Sequence, residues 1–211
     1  MVWVAMVNER LALLRDYPFR RLRSLLSGLQ APGGKEELIM SIGEPQHPYP
    51  DFVKDVLADN SDLWGKYPPT PGTAELRRSI ADWLIRRYDL ESTKLDPERN
   101  ILPVAGTREA LFSVALMATP QITSNDQPTV LMPDPFYQIY SGAAIMAGAE
   151  PVYIPTSEET GFLPDLANVS NNQLERASLA YICSPSNPQG QLQPRNSLSD
   201  TLKWPDPTIL C

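Results

Sequence analysis

Histidine and cysteine are nearly absent from this chain of 211 residues, which holds one histidine and two cysteines. His47 stands alone in Gln-His-Pro-Tyr-Pro and reads as an exposed loop residue. Neither a histidine metal cluster nor a Ser-His-Asp site can be assembled from it. Cys183 in an apolar run and Cys211 at the end make no disulfide framework and no metal-ligand spacing, so no metal is expected and a reducing compartment fits. Long apolar runs are missing too: no window approaches the roughly 20 residues a membrane helix needs, and residues 1–7 are too short for a signal-peptide core. No membrane is expected as a partner, and the expected location is cytoplasmic. Basic charge is short, with 18 Lys and Arg against 25 Asp and Glu, a net charge of −7. Only Arg20, Arg21 and Arg23 cluster, so nucleic acid is not an expected partner either.

Proline is in excess, at 22 residues, and it falls between periodic segments, where it punctuates a fold. Val7 to Leu29 carries leucines at helical spacing, interrupted by Pro18, and predicts two short amphipathic helices that form an arm. Leu38 to Ile42 predicts a short strand stopping at Gly43-Glu44-Pro45. Asp51 predicts the cap of a helix running to Ala58. After the rigid loop Gly65 to Gly72, the apolar residues Leu76, Ile80, Trp83, Leu84 and Tyr88 share one face of a helix over Ala74 to Tyr88, and that face is expected to be core.

The unit around which the rest is arranged is Ile101 to Thr119, read as strand, tight turn and helix. A helix start leaves backbone N–H groups unpaired and carries partial positive charge, so Gly106-Thr107 at that junction can hold a phosphate. Thr107 as an ordinary N-cap is the alternative on this stretch alone. Further strands are expected at Thr129 to Met132, Pro151 to Ile154 and Leu179 to Cys183, with a helix over Tyr137 to Ala147 and a polar linker before the last strand. Strands alternating with helices imply an α/β fold with a largely parallel sheet, in which ligands bind beyond the carboxyl ends of the strands. Gly106, Asp134 to Tyr137, and Ser184 to Asn187 all lie at such ends.

With those loops placed, the chain resembles the fold-type I, pyridoxal-phosphate-dependent aminotransferases of class I/II over about residues 8 to 190. The resemblance rests on Ser-Ile-Gly-Glu-Pro (41–45), Tyr67 with Gly72 and Leu76-Arg77, Gly-Thr-Arg-Glu-Ala-Leu (106–111), Asp-Pro-Phe-Tyr-Gln-Ile-Tyr (134–140) and Ser-Pro-Ser-Asn-Pro-Gln-Gly (184–190). Within that family, Ser-Ile-Gly-Glu-Pro-Gln-His-Pro and Leu-Pro-Val-Ala-Gly-Thr-Arg-Glu-Ala-Leu-Phe are similar to the N-succinyldiaminopimelate aminotransferases of bacterial lysine synthesis.

The resemblance implies the aspartate aminotransferase-like fold and pyridoxal 5'-phosphate as cofactor. Gly106, Thr107 and Arg108 match the family's phosphate cup. Tyr137 matches the aromatic stacked on the pyridine ring, and Asn187 the amide that meets the cofactor's phenolic oxygen. Tyr67 matches the tyrosine that reaches the phosphate of the neighbouring subunit's cofactor, which implies a homodimer. Gly43 matches the backbone position facing the substrate α-carboxylate. The implied reaction moves an amino group from glutamate, a small-molecule donor, to a keto or semialdehyde acceptor. A Rossmann dehydrogenase would need Gly-x-Gly-x-x-Gly after the first strand, which Gly106-Thr107-Arg108-Glu109 is not.

The resemblance covers the N-terminal half of the family only. The family's Schiff-base lysine, the aspartate facing the pyridine nitrogen and the arginine for the substrate carboxylate follow the Asn-Pro-x-Gly segment, and Gln191 to Cys211 matches none of them. Lys203, in Ser-Asp-Thr-Leu-Lys, has the wrong spacing and flanks. The expected organisation is an N-terminal arm with part of a small domain (1–45), a truncated large cofactor-binding domain (46–190) and an aberrant, frameshifted tail (191–211). The alternative to an enzyme is a non-catalytic fragment that binds an intact homologue.

Overall fold

A strand apolar on both faces belongs at the centre of a parallel sheet. Thr129–Asp134 holds that place in the computed structural model, which describes residues 7–30, 32–35, 38, 40–121 and 126–194. The helices are α1 (Pro18–Leu26), α2 (Phe52–Asp59), α3 (Ala74–Tyr88), α4 (Thr107–Ala118), α5 (Gln138–Ala147) and α6 (Asn171–Glu175). The strands are β1 (Thr129–Asp134), β2 (Glu150–Pro155) and β3 (Ala177–Ala180). Contacts divide the chain into two units, Met1–Leu25 with Val104–Cys211, and Leu26–Pro103. Lys203, Cys211 and most of the expected tail lie outside the described residues.

The first unit holds a parallel sheet in the order β2-β1-β3. Leu131 faces Val152 on one side and Ala180 on the other. Because strand side chains alternate, the two faces take different partners. Val130, Met132, Leu179 and Tyr181 pack under Ala115 of α4 and Tyr140, Ala143 and Ala144 of α5. Leu131, Val152, Ile154 and Ala180 pack against Val169, with Leu166 and Leu174 beside them. Alanines on α5 let that helix lie close to the sheet.

Helix α5 ends at Gly148, whose φ of 89° admits few residues with a side chain. A Cβ there would stand 2.6 Å from the Arg10 guanidinium, and Arg10 donates to the Met146 carbonyl at 3.2 Å. The positive side chain thus meets the negative end of α5 and draws the 3-10 turn Glu9–Leu13 onto it. The two helices expected between Val7 and Leu29 are therefore this turn and α1. In the expected polar linker, α6 forms behind a reciprocal capping box in which Gln173 N–H donates to the Ser170 hydroxyl and Ser170 N–H to the Gln173 side chain.

In the second unit α3 begins where Thr73 accepts from Leu76 N–H at 3.2 Å. Its burial departs from expectation. Leu76, Trp83 and Tyr88 are exposed, Ile80 and Leu84 are half-buried, and the buried residues are Arg77 and Ala81. The helical period is right, but no described element covers that apolar face. Arg77 turns inward to donate to the carbonyls of Pro71 and Gly72, at 3.1 and 2.6 Å, and to Glu98 at 2.6 Å.

Two expected strands are not observed. Ile101 to Ala105 is without ladder pairing, with Leu102 and Val104 exposed, since no described strand lies beside it and Pro103 lacks a donor. Leu38 to Ile42 forms no strand at its described residues.

Candidate functional site

Gly106 turns the chain into α4 with φ 133° and ψ 150°, and it, not Thr107, is the N-cap. Thr107 is the first helical residue, so its hydroxyl is released from capping and bonds to no described residue. Helix start, glycine and free hydroxyl together make a cradle for an oxyanion.

A carboxylate already leans over this end. Glu109 Oε2 lies 2.6 Å from where a Cβ on Gly106 would stand, and Glu109 Oε1 accepts from Nε and Nη2 of Arg108, both at 3.2 Å. The Glu109 carboxyl is held below its usual range, first by a hydrogen bond from its own backbone N–H, then by Arg108. Residue types and conformation therefore fit a phosphate, provided Arg108 exchanges the Glu109 carboxylate for it.

Tyr137 follows β1 as the N-cap of α5, and its ring is about half exposed. Asn187 is exposed in the loop after β3, between cis bonds Ser184-Pro185 and Asn187-Pro188. This loop is internally braced: Ser186 N–H donates to the Gln191 carbonyl at 2.8 Å, and Gln193 N–H to the Ser184 hydroxyl at 3.0 Å.

Residues that sequence reasoning did not single out tie these loops together. Thr156, just past β2, donates through both its N–H and its hydroxyl to the Asp134 carbonyl, each at 2.9 Å. Gln189 then donates to the Thr156 hydroxyl at 2.9 Å. The loop of Asn187 is thereby linked, through the end of β2, to the loop that starts Asp134-Pro135-Phe136-Tyr137. The only sequence signal for this tie was the position of Gln189 within Asn-Pro-Gln-Gly.

Gly106, Thr107, Arg108, Tyr137 and Asn187 all belong to the first unit, at helix starts and strand ends. Tyr67 and Gly43 belong to the second. Tyr67 is exposed over its whole side chain, at 102% of its reference area, and nothing lies within 4 Å of a Cβ on Gly43. Among the described residues there is no cluster of metal-ligating side chains, and no helix is long and apolar enough to cross a membrane.

The chain has relatives among known proteins. The family model for aminotransferase class I and II matches residues 35–205. The LL-diaminopimelate aminotransferase of Desulforudis audaxviator is 32% identical over 184 residues, which are 86% of this chain and 45% of that protein. The enzyme of the same name from Syntrophobacter fumaroxidans is 32% identical over 89% of this chain and 47% of its own length. Among solved structures, an aminotransferase from Neisseria meningitidis superposes with a TM-score of 0.88 at 36% identity, covering 97% of this chain and 51% of that one. Thermus thermophilus aspartate aminotransferase, at 23% identity and a TM-score of 0.74, shares the fold. The chain spans about half the length of the curated relatives it matches. With a family match over most of its residues and a parallel α/β sheet of the aspartate aminotransferase type, the chain belongs to the class I and II aminotransferases, whose cofactor is pyridoxal 5'-phosphate.

Proposed function

We propose that these residues form the cofactor-embracing half of an aminotransferase that passes an amino group from glutamate to an acceptor of the diaminopimelate branch of lysine synthesis. The acceptor we favour is N-succinyl-2-amino-6-oxopimelate. The observation that supports the reading is a helix start opened by Gly106 ahead of Thr107 and Arg108, in the same unit as the loops of Tyr137 and Asn187, which Thr156 and Gln189 tie together past the end of β2. The lysine-pathway assignment rests on relatives called LL-diaminopimelate aminotransferase and on the wording of residues 41–48 and 102–112. The succinylated acceptor rests on that wording alone.

When bound, pyridoxal phosphate supplies the electron sink that lets an amino group be detached and re-attached. The protein's part is to bind and orient. In this reading the N–H groups at the start of α4, the Thr107 hydroxyl and the Arg108 guanidinium hold the phosphate. Tyr137 would hold the ring of the cofactor, and the Asn187 amide would donate to its phenolic oxygen. By its family match, Gly43 would offer its backbone to the substrate α-carboxylate. Tyr67, projecting from its own unit, donates its hydroxyl to the phosphate held by the other subunit of a homodimer. Residues 1–45 would serve as arm and part of the small domain, and 46–190 as the large one.

The family's covalent lysine follows the segment that these residues match, so they are expected by themselves to bind the cofactor reversibly and not to turn over. Titrating the folded chain with pyridoxal phosphate tests the reading. A shift of the cofactor's absorbance is expected, with thermal stabilisation of about 2.7 kcal/mol at a hundredfold excess over Kd. A well-folded chain showing neither would overturn it, and glutamate-dependent turnover by this chain alone would overturn the expected inactivity.

A second reading is a non-catalytic fragment that binds an intact homologue. Phe52, Val56, Leu57, Trp64 and Tyr67 favour it, being exposed on and just after α2. Co-elution with an intact relative, without change in that relative's rate, would be its signature.

A further inference from the structure

Three tyrosines of the first unit form a continuous ladder, and only the first was singled out by its sequence position. The Tyr137 ring meets that of Tyr140 edge-on, with centroids 5.7 Å apart and planes at 89°. Tyr140 stacks on Tyr181 at 4.1 Å and 10°. Tyr181, 2% exposed, donates its hydroxyl to the Leu111 carbonyl at 2.7 Å. Leu111 lies one turn into α4, the helix whose first residues are Thr107 and Arg108. The ladder therefore runs from an open ring at the start of α5, through the core, to the body of the helix that carries the oxyanion cradle.

Packing alone does not ask for this chemistry. Aliphatic side chains would fill the space between α5 and β3, whereas a buried phenol requires a partner for its hydroxyl. Here the partner is a helix carbonyl with a spare lone pair. Because the bond joins β3's end to α4, and the stack joins it to α5, the two elements cannot slide independently. Preorganisation of this kind lowers the ordering that a ligand gripped at two points must impose.

We propose that Tyr140 and Tyr181 are positioning residues that hold the Tyr137 ring at a set distance and tilt from the start of α4, so that a ligand carrying both a phosphate and a flat ring is gripped at both ends. The proposal rests on the cofactor reading above and adds two residues to it.

Two probes separate the cradle from the ladder on the full chain. Inorganic phosphate reports on the start of α4 alone, and pyridoxal phosphate on both ends together. Tyr181→Phe keeps the stack and removes the donation to Leu111. It is expected to raise the Kd for pyridoxal phosphate about five- to tenfold, the worth of one hydrogen bond, while the Kd for inorganic phosphate stays within about twofold. Tyr140→Leu breaks the stack and should lose more pyridoxal phosphate affinity than Tyr140→Phe, which keeps a ring. The comparison is made on variants whose circular dichroism shows them folded at the temperature of titration.

Equal weakening of both probes would mean that the tyrosines merely stabilise the fold, and it would overturn the proposal. So would unchanged affinity for pyridoxal phosphate. If the unaltered chain bound neither probe, the cofactor reading itself would fail and this proposal with it. Binding by the unaltered chain with no selective loss in the variants would refute only the ladder.

Discussion

Removing the guanidinium of Arg77 tests how the loop that presents Tyr67 is held. Arg77 is 6% exposed and reaches three acceptors on two segments: the carbonyls of Pro71 and Gly72 and the carboxylate of Glu98. The Glu98 side chain is largely in water, so that ion pair is discounted to less than about 1 kcal/mol. The two carbonyl bonds share one nitrogen and, being charge-assisted, are worth about 3 kcal/mol together. Against them stands Nε, buried with no partner among the described residues, which already costs about 1 kcal/mol. Arg77→Met keeps most of the apolar stem and should therefore destabilise the unit Leu26–Pro103 by about 2 kcal/mol. With a urea m-value of about 1–2 kcal/mol/M, the midpoint falls by roughly 1–2 M. Trp64 and Trp83 lie within that unit and report the transition by fluorescence. Hydrogen exchange localises the effect: the Gly72 N–H, which donates to Pro69 at 2.8 Å, should lose protection before the middle of α3 does. A midpoint lowered by less than about 0.3 M with unchanged protection at Gly72 would refute the idea that Arg77 orders the loop.

Leu131 is fully buried and touches both neighbouring strands, so Leu131→Ala should cost about 3–4 kcal/mol and lower Tm by roughly 6–15 °C in a thermal melt followed by circular dichroism. A loss below about 1 kcal/mol would show the sheet collapsing around the change. Glu109 has a folded pKa below its ordinary value of 4.5, so its contribution to stability is complete above that value and is lost as pH falls through the lowered one. Stability profiles of the unaltered chain and Glu109→Gln should accordingly differ by a constant at neutral pH and converge in acid; a gap that widened on acidification would contradict the assigned hydrogen bonds.

Legibility in the sequence followed how local each cause was. The strands of the sheet were readable because Val130, Leu131 and Met132 form an uninterrupted apolar run, which only burial on both faces explains. The bounds of α3 were readable because an apolar period runs from Ala74 to Tyr88 behind the rigid loop Gly65 to Gly72. What α3 packs against was not readable, since period tells which residues share a face and not whether another element covers it. The strand expected at Ile101 failed for the same reason: an apolar run is necessary for a strand, but a ladder partner distant in the chain makes it one. At the site, Gly106-Thr107 was legible as a turn, yet on that stretch alone Thr107 read first as an ordinary cap, a place that the structure gives to Gly106. Short-range pattern does not show the tie of Gln189 to Thr156, or of Tyr181 to Leu111, because the partners lie 33 and 70 residues apart.

The chain's charge raises a question that the α4 terminus answers. A molecule of net charge −7 is a poor collector of a dianion if its charges act as one field. At physiological ionic strength, however, exposed charges are screened beyond about 8 Å, so affinity is decided within the first turn of α4. There the helix end and Arg108 attract an oxyanion while Glu109 occupies the same ground. The Glu109 carboxylate is anchored to its own N–H, and Arg108 bonds to it through an exposed pair that is cheap to exchange. On the proposed reading phosphate, with more charge and more acceptors than a carboxylate, would take Arg108 from that exposed pair and leave the Glu109 bond to its own N–H in place. On that reading the start of α4 would favour a doubly charged ligand, because a singly charged carboxylate would gain little over the one already present.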